Sequence, residues 1–374
     1  MQRFIPQQPY NSLPLLPPQA DVETHAILKH CIEARAAMAE LKQAGRLIPD
    51  QGVLINSIPY REARDSSEIE NIVTTTDRLF RYAATNDATA DAATKETLRY
   101  RTALYDGYMS LRHRPLSTAT AVAVCGTIKG TAMEIRRTPG TALKNEASNQ
   151  IIYMPPEGEP RLRDMLSNWE RYMHEERAVD PLVRMAVAHY QFEAIHPFTD
   201  GNGRTGRILN ILFLISEGLL DIPVLYLSRY IVQHKDAYYD KLLRVTTNAE
   251  WEPWIIYMLK AIEATSHWTR EKILAIAELI SHACDYTARA RPSLYRKELI
   301  ETVFQQPYCR ISYLVDAGIA KRATASRYLK ELAEIGILEE VQEGREKIFI
   351  NPKFMDLLMQ DSHTFSPYGD LHAI

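Results

Sequence analysis

Reactive side chains and glycines are densest in one stretch of the chain, HPFTDGNGRTGR, at residues 196–207. Glycines on both sides of Asn202 allow backbone N–H groups to converge on an anion, since no Cβ stands in the way. An apolar run with helical spacing follows, so the positive end of a helix dipole points to the same place. Arg204 and Arg207 lie in the first turn of that helix, where a lone cation is unfavourable by roughly 0.3 to 1 kcal/mol. The combination predicts a site for a bound polyanion.

Two further side chains of this stretch could supply chemistry beside the anion. Asp200 directly precedes the first glycine, and its carboxylate is of the kind that holds Mg²⁺ next to phosphates. His196 ends the preceding helix-periodic segment and could take a proton from an attacking hydroxyl. The stretch therefore predicts phosphate chemistry with His196 as the base.

Two other interpretations of the same residues compete with this one. Residues 201–206 match the dinucleotide-binding pattern G-x-G-x-x-G, and Asp221 lies about twenty residues further on. That pattern follows a strand, however, whereas residues 182–195 have a helical period. The second alternative is a glycine-rich helix cap with solvated arginines and a satisfied histidine. The joint presence of His, Asp, Gly-Asn-Gly and two arginines favours the phosphate site over both.

The composition of the whole chain excludes several classes of protein. Its 374 residues are 46% hydrophobic and 24% charged, with a formal net charge of -3. This is an ordinary globular profile long enough for two or three domains, and it is not that of a polycation built for nucleic acid or anionic lipid. Four well-separated cysteines without a CxxC pair are too few for a disulfide framework. We therefore expect a cytoplasmic protein with no membrane span and no secretion signal.

The apolar spacing predicts a mostly α-helical chain up to about residue 275, after an extended proline-rich arm over residues 1–20. Residues 134–137 and 150–153 are the exception, because they flank a polar stretch and predict a β-hairpin with a long tip. The helices predicted in this part are 21–45, 69–80, 92–109, 115–124, 162–173, 182–195 and one that begins at about residue 203.

The last part of the chain has a different pattern. Three short helical segments are followed by two strands, which together are typical of a winged helix. The polar segment 282–292 is the predicted boundary before this module. The predicted elements are helices at 300–304, 311–314 and 323–332, strands at 336–338 and 347–350, and a turn at 343–345.

At every defined position, the stretch at residues 196–207 matches the motif HxFx(D/E)GNGRxxR, and the chain thereby resembles the Fic family. Members of this family transfer AMP from ATP to a hydroxyl of a target protein. The proline-rich arm, the hairpin and the winged helix are also similar to the two-domain bacterial members. The resemblance implies a mostly α fold, with a Fic-type helical core and a β-hairpin flap, plus a C-terminal winged-helix domain. The domains it implies are an N-terminal helical region with an inhibitory helix at 1–100, a catalytic core at 101–285 and the winged helix at 290–374.

The resemblance also implies roles for individual residues. His196 would be the general base, Asp200 the Mg²⁺ ligand and Phe198 a core anchor, with ATP and Mg²⁺ as the cofactors. Kinase-like members carry lysine at the second glycine and lack the second arginine, so this chain is expected to transfer AMP. Residues 151–153, namely Ile151, Ile152 and Tyr153, would form a flap that docks the target, with a plain cover for the core as the alternative. The implied nucleotide contacts are Gly201, Asn202, Gly203, Arg204, Thr205, Gly206, Arg207 and, although tyrosines at helical spacing are more often core, Tyr239.

A second motif upstream resembles the inhibitory pattern (S/T)xxxE(G/N) of the same family. Ser66, Glu70 and Asn71 lie at its defined positions. The resemblance implies that Glu70 reaches Arg207 and neutralises the charge meant for the γ-phosphate. The alternative is a capping box from Ser67 to Glu70, which would only close the start of a helix. We favour inhibition because the pattern accompanies a complete Fic motif.

The expected function is thus an autoinhibited protein adenylyltransferase that modifies an unidentified target protein and itself. Two alternatives stay open: a hydrolase that removes AMP at the same site, and a transcription regulator whose core senses nucleotide. A homodimer is also left open. DNA is the less favoured partner of the winged helix, because acidic residues as numerous as the basic ones surround the four cations of its last helical segment, Lys321, Arg322, Arg327 and Lys330.

Overall fold

The computed structural model describes residues 4–48, 50–85, 90–144, 148–343 and 346–369, and helices make up most of this part. Helix boundaries agree well with local signals. Thr24 accepts a hydrogen bond from the Ile27 N–H at the start of the first helix, and Asp180 caps another helix whose first residue is Pro181. The mostly α fold predicted from the sequence is therefore confirmed.

The proline-rich arm lies on the helical core, as predicted. Leu13 and Leu16 are buried, and the backbone of Leu16 exchanges two hydrogen bonds with the Asn168 side chain at 2.8 and 2.9 Å. Gln191 donates to the carbonyl of Pro14 in the same way. These side-chain contacts take the place of the ladder hydrogen bonds that a proline-rich segment cannot make.

One of the predicted N-terminal helices is wrong in its extent. The sequence predicts a single helix over residues 69–80, but one helix ends at Ile69 and the next begins only at Thr76. Asn71 has a left-handed conformation with φ of +60°, and the Ile72 N–H turns back to the Ser67 carbonyl. The apolar spacing thus joined the end of one helix to the start of the next. The N-terminal helices are α1 (His25–Gly45), α2 (Gln51–Ile55), α3 (Ile58–Ile69), α4 (Thr76–Thr85) and α5 (Ala92–Ser110).

The region around residues 196–207 forms the centre of the fold. The helices before and after the motif are almost entirely buried and pack against each other, so the motif between them is held at a fixed place. The helices of this region are α6 (Thr118–Lys129), α7 (Glu159–Glu175), α8 (Pro181–Ile195), α9 (Asn202–Ser216), α10 (Leu227–Gln233), α11 (Lys235–Asn248) and α12 (Trp251–Ala290).

The β-hairpin exists, but its first strand was misplaced. The strands are β1 (Leu143–Lys144) and β2 (Ile151–Tyr153), which pair antiparallel, whereas residues 134–137 were expected to pair. The Arg136 N–H instead donates to the carbonyl of Pro197, and its buried guanidinium donates to the carbonyl of His196. Arg136 therefore bonds to residues 196 and 197 and not to β2. Part of the hairpin tip, residues 145–147, lies outside the described residues.

The C-terminal module has the predicted three helices and a hairpin, but the first hairpin strand begins at Glu339, after the predicted residues 336–338, which form a turn. It also has one more strand and one more helix than predicted. The added strand joins the hairpin in a sheet of order β3-β5-β4, as in a winged helix. Part of the predicted turn, residues 344–345, lies outside the described residues. The elements are α13 (Lys297–Val303), β3 (Tyr308–Cys309), α14 (Ile311–Asp316), α15 (Arg322–Glu334), β4 (Glu339–Glu343), β5 (Glu346–Ile350) and α16 (Pro352–Met359).

The long helix α12 connects the two parts of the chain. It has 40 residues and runs through most of the predicted boundary segment at 282–292, so the exact domain division stays a prediction. Among the helices described, α12 included, none combines the length and the apolar character that crossing a membrane requires.

Candidate active site

His196 occupies the turn that links α8 to residues 197–203, which we call the glycine loop. It is the C-terminal cap of α8, with φ of +50°, and its N–H still bonds to the carbonyl of Phe192. The buried ring atom Nδ1 has no hydrogen-bond partner among the described residues. Burial and, to a smaller extent, the Arg136 guanidinium together lower the pKa of His196 to about 4. The imidazole is therefore neutral at pH 7 and able to accept a proton.

The side chain of Asn202 shapes the glycine loop. Its amide exchanges two hydrogen bonds of 2.8 Å with the backbone N–H and carbonyl of Phe198, and the residue is buried. Phe198 is fully buried beside Phe192, as expected of a core anchor. Asn202 can therefore offer a ligand its backbone N–H, while its side chain holds the loop closed.

The first turn of α9 forms the anion nest predicted from the glycines. Gly201 has a φ of +82°, which favours glycine, and α9 starts at the next residue, so its first N–H groups point out of the helix. The Glu70 carboxylate lies directly over Gly203, where a Cβ would overlap with it. A carboxylate thus lies against the first turn of α9 and beside Arg207, so a negatively charged group can approach this end of the helix.

Arg207 is held by the residues of the upstream motif. Its Nη2 donates to the Glu70 carboxylate at 2.9 Å and to the Ser66 carbonyl at 2.8 Å, while its Nε donates to the Ser66 hydroxyl at 2.8 Å. Arg207 is buried, whereas a third of the Glu70 side chain is exposed. Burial alone would lower the pKa of Arg207, but the Glu70 carboxylate and nearby tyrosines raise it above its ordinary value.

The position of Glu70 decides between the two interpretations of its motif. Glu70 caps the C-terminal end of α3, so the capping box from Ser67, which needs a helix N-terminus, is wrong. Asn71 follows in the left-handed conformation, which glycine and asparagine tolerate best. This requirement gives a physical reason for Gly or Asn at that position of the motif.

Arg204 and Asp200 belong to a second charge cluster that the sequence analysis missed. Arg204 is buried and pairs with Glu96 at 2.7 Å. Lys129 bridges Glu96 at 2.8 Å and Asp200 at 2.6 Å. Burial acts to raise the pKa of Asp200, but the Lys129 ammonium outweighs it and lowers that pKa. An ammonium between two carboxylates shows that this corner of the site suits a cation.

Glu193 is another missed residue, one helical turn before His196 on α8. One of its carboxylate oxygens is buried without a partner among the described residues, next to Gly206. Its pKa is raised to about 8, mainly by burial; the Arg207 charge opposes this increase and the Glu70 charge adds to it. The i, i+3 spacing from His196 was the available signal, because it places Glu193 in the last turn of the helix that precedes His196.

The remaining residues predicted to contact the nucleotide differ in their exposure and surroundings. Tyr239 is 41% exposed and borders a cleft that Ile152, Tyr190 and Glu193 also line. Thr205 is fully buried and its N–H bonds to the Gly201 carbonyl, so this N–H is not available to the nest. Gly206 packs against α8 instead, and the nucleotide roles of all these residues stay predictions.

The three residues predicted to form the docking flap lie in different surroundings, and their docking role stays a prediction. Ile151 and Ile152 are half-buried, but Tyr153 points into the core, donates to the Ala194 carbonyl at 2.7 Å and packs against the ring of Tyr10. A Tyr153 side chain that is hydrogen-bonded and covered in this way cannot face a target. Of the three side chains, only those of Ile151 and Ile152 are therefore partly exposed.

Three segments of the chain match known family models. Residues 28–109 match the Fic/DOC family N-terminal model, and residues 119–214, which contain the motif, match the Fic/DOC family model. Residues 279–354 match the C-terminal domain of protein adenylyltransferase SoFic-like proteins. These matches cover α3, the residues of the glycine motif and most of the C-terminal module.

Similar proteins come from bacteria and animals. A probable protein adenylyltransferase of Aquifex aeolicus (strain VF5) is 39% identical over 83 residues, which are 22% of this chain and 25% of that protein. Protein adenylyltransferase fic-1 of Caenorhabditis briggsae is 39% identical over 88 residues, which are 24% of this chain and 16% of that protein. The chain thus spans a quarter or less of the length of these relatives. A crystal structure of a Fic family protein from Desulfovibrio desulfuricans G20 has a TM-score of 0.57 at 18% identity and covers 90% of this chain and 98% of its own, which shows a shared fold.

Proposed function

Because the chain belongs to the Fic family, we propose that it is a protein adenylyltransferase that transfers AMP from ATP to a hydroxyl group of a protein. The observation that carries the proposal is the anion nest of α9, in which the Glu70 carboxylate lies over Gly203 and pairs with Arg207. A neutral, buried imidazole lies at the other end of the same short loop. An anion site beside a competent base is what nucleotidyl transfer to a hydroxyl requires.

The reaction we propose is an in-line displacement. The hydroxyl oxygen of the target forms a bond to the α-phosphorus, the bond to pyrophosphate breaks, and His196 takes the hydroxyl proton. The glycine-loop N–H groups and the two arginines would hold the phosphate chain, with Arg207 at the γ-phosphate and Arg204 nearer to Asp200. Orientation and charge neutralisation would supply most of the rate enhancement.

We propose Asp200 as the Mg²⁺ ligand of this site. More than half of its side chain is exposed, and it already faces the Lys129 ammonium. Mg²⁺ prefers carboxylate oxygens and keeps several waters, so one exposed carboxylate beside phosphates is a suitable protein contribution. When bound, the ion would neutralise phosphate charge, while Lys129 and Glu96 orient Asp200.

The target would dock on the hairpin. The pair β1 and β2 offers a short sheet edge next to the cleft, with Ile151 and Ile152 only half-buried. An extended target segment can add to such an edge through main-chain hydrogen bonds and bring its hydroxyl to His196. We propose the protein itself as one target and place the reaction in the cytoplasm, where its four unpaired cysteines would stay reduced.

The proposed function is tested with ATP that carries the label on a chosen phosphate. The Glu70→Gly variant should incorporate label from the α-phosphate into itself or into lysate proteins, and mass spectrometry should find the added AMP. Label on the γ-phosphate should not be incorporated. Incorporation from the γ-phosphate would show a kinase, and no incorporation from either position would refute nucleotidyl and phosphoryl transfer alike.

The rate should be nearly independent of pH between about 5 and 8. Since the pKa of His196 is lowered from 6.5 to about 4, its ring stays neutral and basic until the pH falls towards that value. Removing Glu70, whose charge raises this pKa, would move the acid limb lower still. Initial rates of the Glu70→Gly variant measured across this range provide the check, and a midpoint near 6.5 would contradict the assignment.

Arg207 tests the brake and the phosphate contact together. The double variant Glu70→Gly, Arg207→Ala should be slower than Glu70→Gly alone by roughly one to two powers of ten, because a charge-assisted contact of about 1.5 to 3 kcal/mol is lost. Arg207→Ala alone should not be activated, although its brake is broken. If it proves as active as Glu70→Gly, another cation must hold the γ-phosphate.

A further inference from the structure

The inhibitory helix α3 has a second attachment, at the end opposite Glu70. Three cations, Arg61, Arg229 and Lys272, surround the ring of Trp268, at 4.9, 5.0 and 5.1 Å from its ring centroid. We call these four residues the cation clamp. They come from α3, α10 and α12, and what they hold is the end of α16 and the residues that follow it.

The clamp holds this segment mainly by its backbone. Arg61 is buried and donates to the carbonyls of Leu358 and Gln360, both at 2.9 Å. Lys272, also buried, donates to the carbonyls of Leu357, Gln360 and Ser362 at 2.6 to 3.0 Å. These carbonyls lie at or just beyond the end of α16, where a helix leaves its carbonyls without partners and where cations are favoured.

Asp361 supplies the negative charge of the arrangement. Its carboxylate pairs with Arg61 at 2.7 Å and, from its other oxygen, with Arg229 at 3.6 Å. The Asp361 side chain is 64% exposed although Arg61 is buried. Asp361 can therefore be replaced without opening a cavity, while the buried Arg61 and the partly buried Arg229 would lose a partner.

The C-terminal module also contacts the helices on either side of α3. Gln305 donates to the Asp50 carboxylate at 2.7 Å, just before α2, and the Tyr308 hydroxyl donates to the Asp77 carboxylate of α4 at 2.8 Å. Together with Arg61, these contacts place the module against three successive parts of the N-terminal region. The inhibitory helix is thus enclosed between the catalytic core and the C-terminal module.

We propose that the C-terminal module holds α3 in its blocking position, so that loosening the cation clamp releases Glu70 from Arg207. The proposal rests on the proposed function, because it concerns the control of that same site. A helix moves as a rigid unit, and Arg61 and Glu70 are nine residues apart, or about 14 Å. A shift of α3 that withdraws Glu70 must therefore also disturb the Arg61 contacts.

The coupling is reciprocal. If release of Glu70 weakens the hold on residues 357–362, then a ligand or partner that displaces this segment favours release by the same free energy. The C-terminal module would thus receive the regulatory signal, and the contact between Glu70 and Arg207 would respond to it. This role depends on the face of the module that contacts α3, and it is the same whatever the opposite face binds.

The test compares two single substitutions in neighbouring positions. Asp361→Ala should raise self-adenylylation by about two- to fivefold, as expected for the loss of a half-exposed ion pair. Asp356→Ala removes an exposed carboxylate from α16 itself, away from the clamp, and should leave the rate unchanged. In the Glu70→Gly background, Asp361→Ala should have no further effect, since no brake is left to release. An equal gain in that background would overturn the proposal.

A second measurement does not depend on activity. Amide hydrogen exchange in the last turn of α3, residues 66–69, should be about two- to fivefold faster in Asp361→Ala than in Asp356→Ala. Unchanged exchange would overturn the coupling even if the enzyme is active. Faster exchange in a protein whose Glu70→Gly variant incorporates no AMP would keep the coupling and refute the proposed function.

Discussion

Replacing Glu70 by glycine should raise the incorporation of AMP by about ten- to a hundredfold. The Glu70 carboxylate both covers the anion nest at Gly203 and pairs with Arg207, so its removal frees the place of the γ-phosphate. A charge-assisted contact of this kind is worth about 1.5 to 3 kcal/mol, which corresponds to one to two powers of ten. The measurement is the initial rate with ATP labelled at the α-phosphate.

The control for this variant lies in the same helical turn. Glu68 is exposed, and Glu68→Gly introduces the same conformational freedom two residues earlier without removing the partner of Arg207. Its rate should equal that of the unaltered protein. Equal AMP incorporation by Glu70→Gly and the unaltered protein would mean that Glu70 is no brake.

The loss of His196 should have the largest effect on the rate. In the Glu70→Gly background, His196→Ala should reduce AMP transfer by about one hundred- to ten-thousandfold, the usual contribution of a general base. Binding of ATP, measured by calorimetry, should stay unchanged, because the nest is built from the backbone of α9 and the arginines lie beyond it. A parallel loss of binding would instead indicate that the turn at His196 had collapsed.

Local sequence signals predicted the centre of the fold well. The helical period of α8, its Asp180 cap and the glycines before α9 are properties of neighbouring residues, and the structure has all three. The residues that join the motif to distant parts of the chain were harder to find. Lys129 and Glu96 meet Asp200 only because α5 and α6 pack beside α9, and no spacing along the sequence indicates that packing.

The hairpin shows the same limit in another way. Residues 134–137 have strand-like composition, but they belong to no strand. Their partner is the loop at Pro197, however, because the Arg136 guanidinium binds carbonyls of that loop. Choosing between two extended partners depends on tertiary hydrogen bonds that a periodic pattern does not contain.

The uninterrupted helix α12 determines how the two ends of the protein can communicate. At 40 residues it is about 60 Å long, begins in the catalytic core and ends at the C-terminal module. Domains joined by a flexible linker tumble, and their encounters are governed by an effective concentration. Here one continuous helix leads from one part to the other instead, and only residues 291–296 separate its end from α13, which limits how far the relative orientation can change. Because α1 packs along α12, a displacement of the C-terminal module would be transmitted through α12 to its contacts with α1.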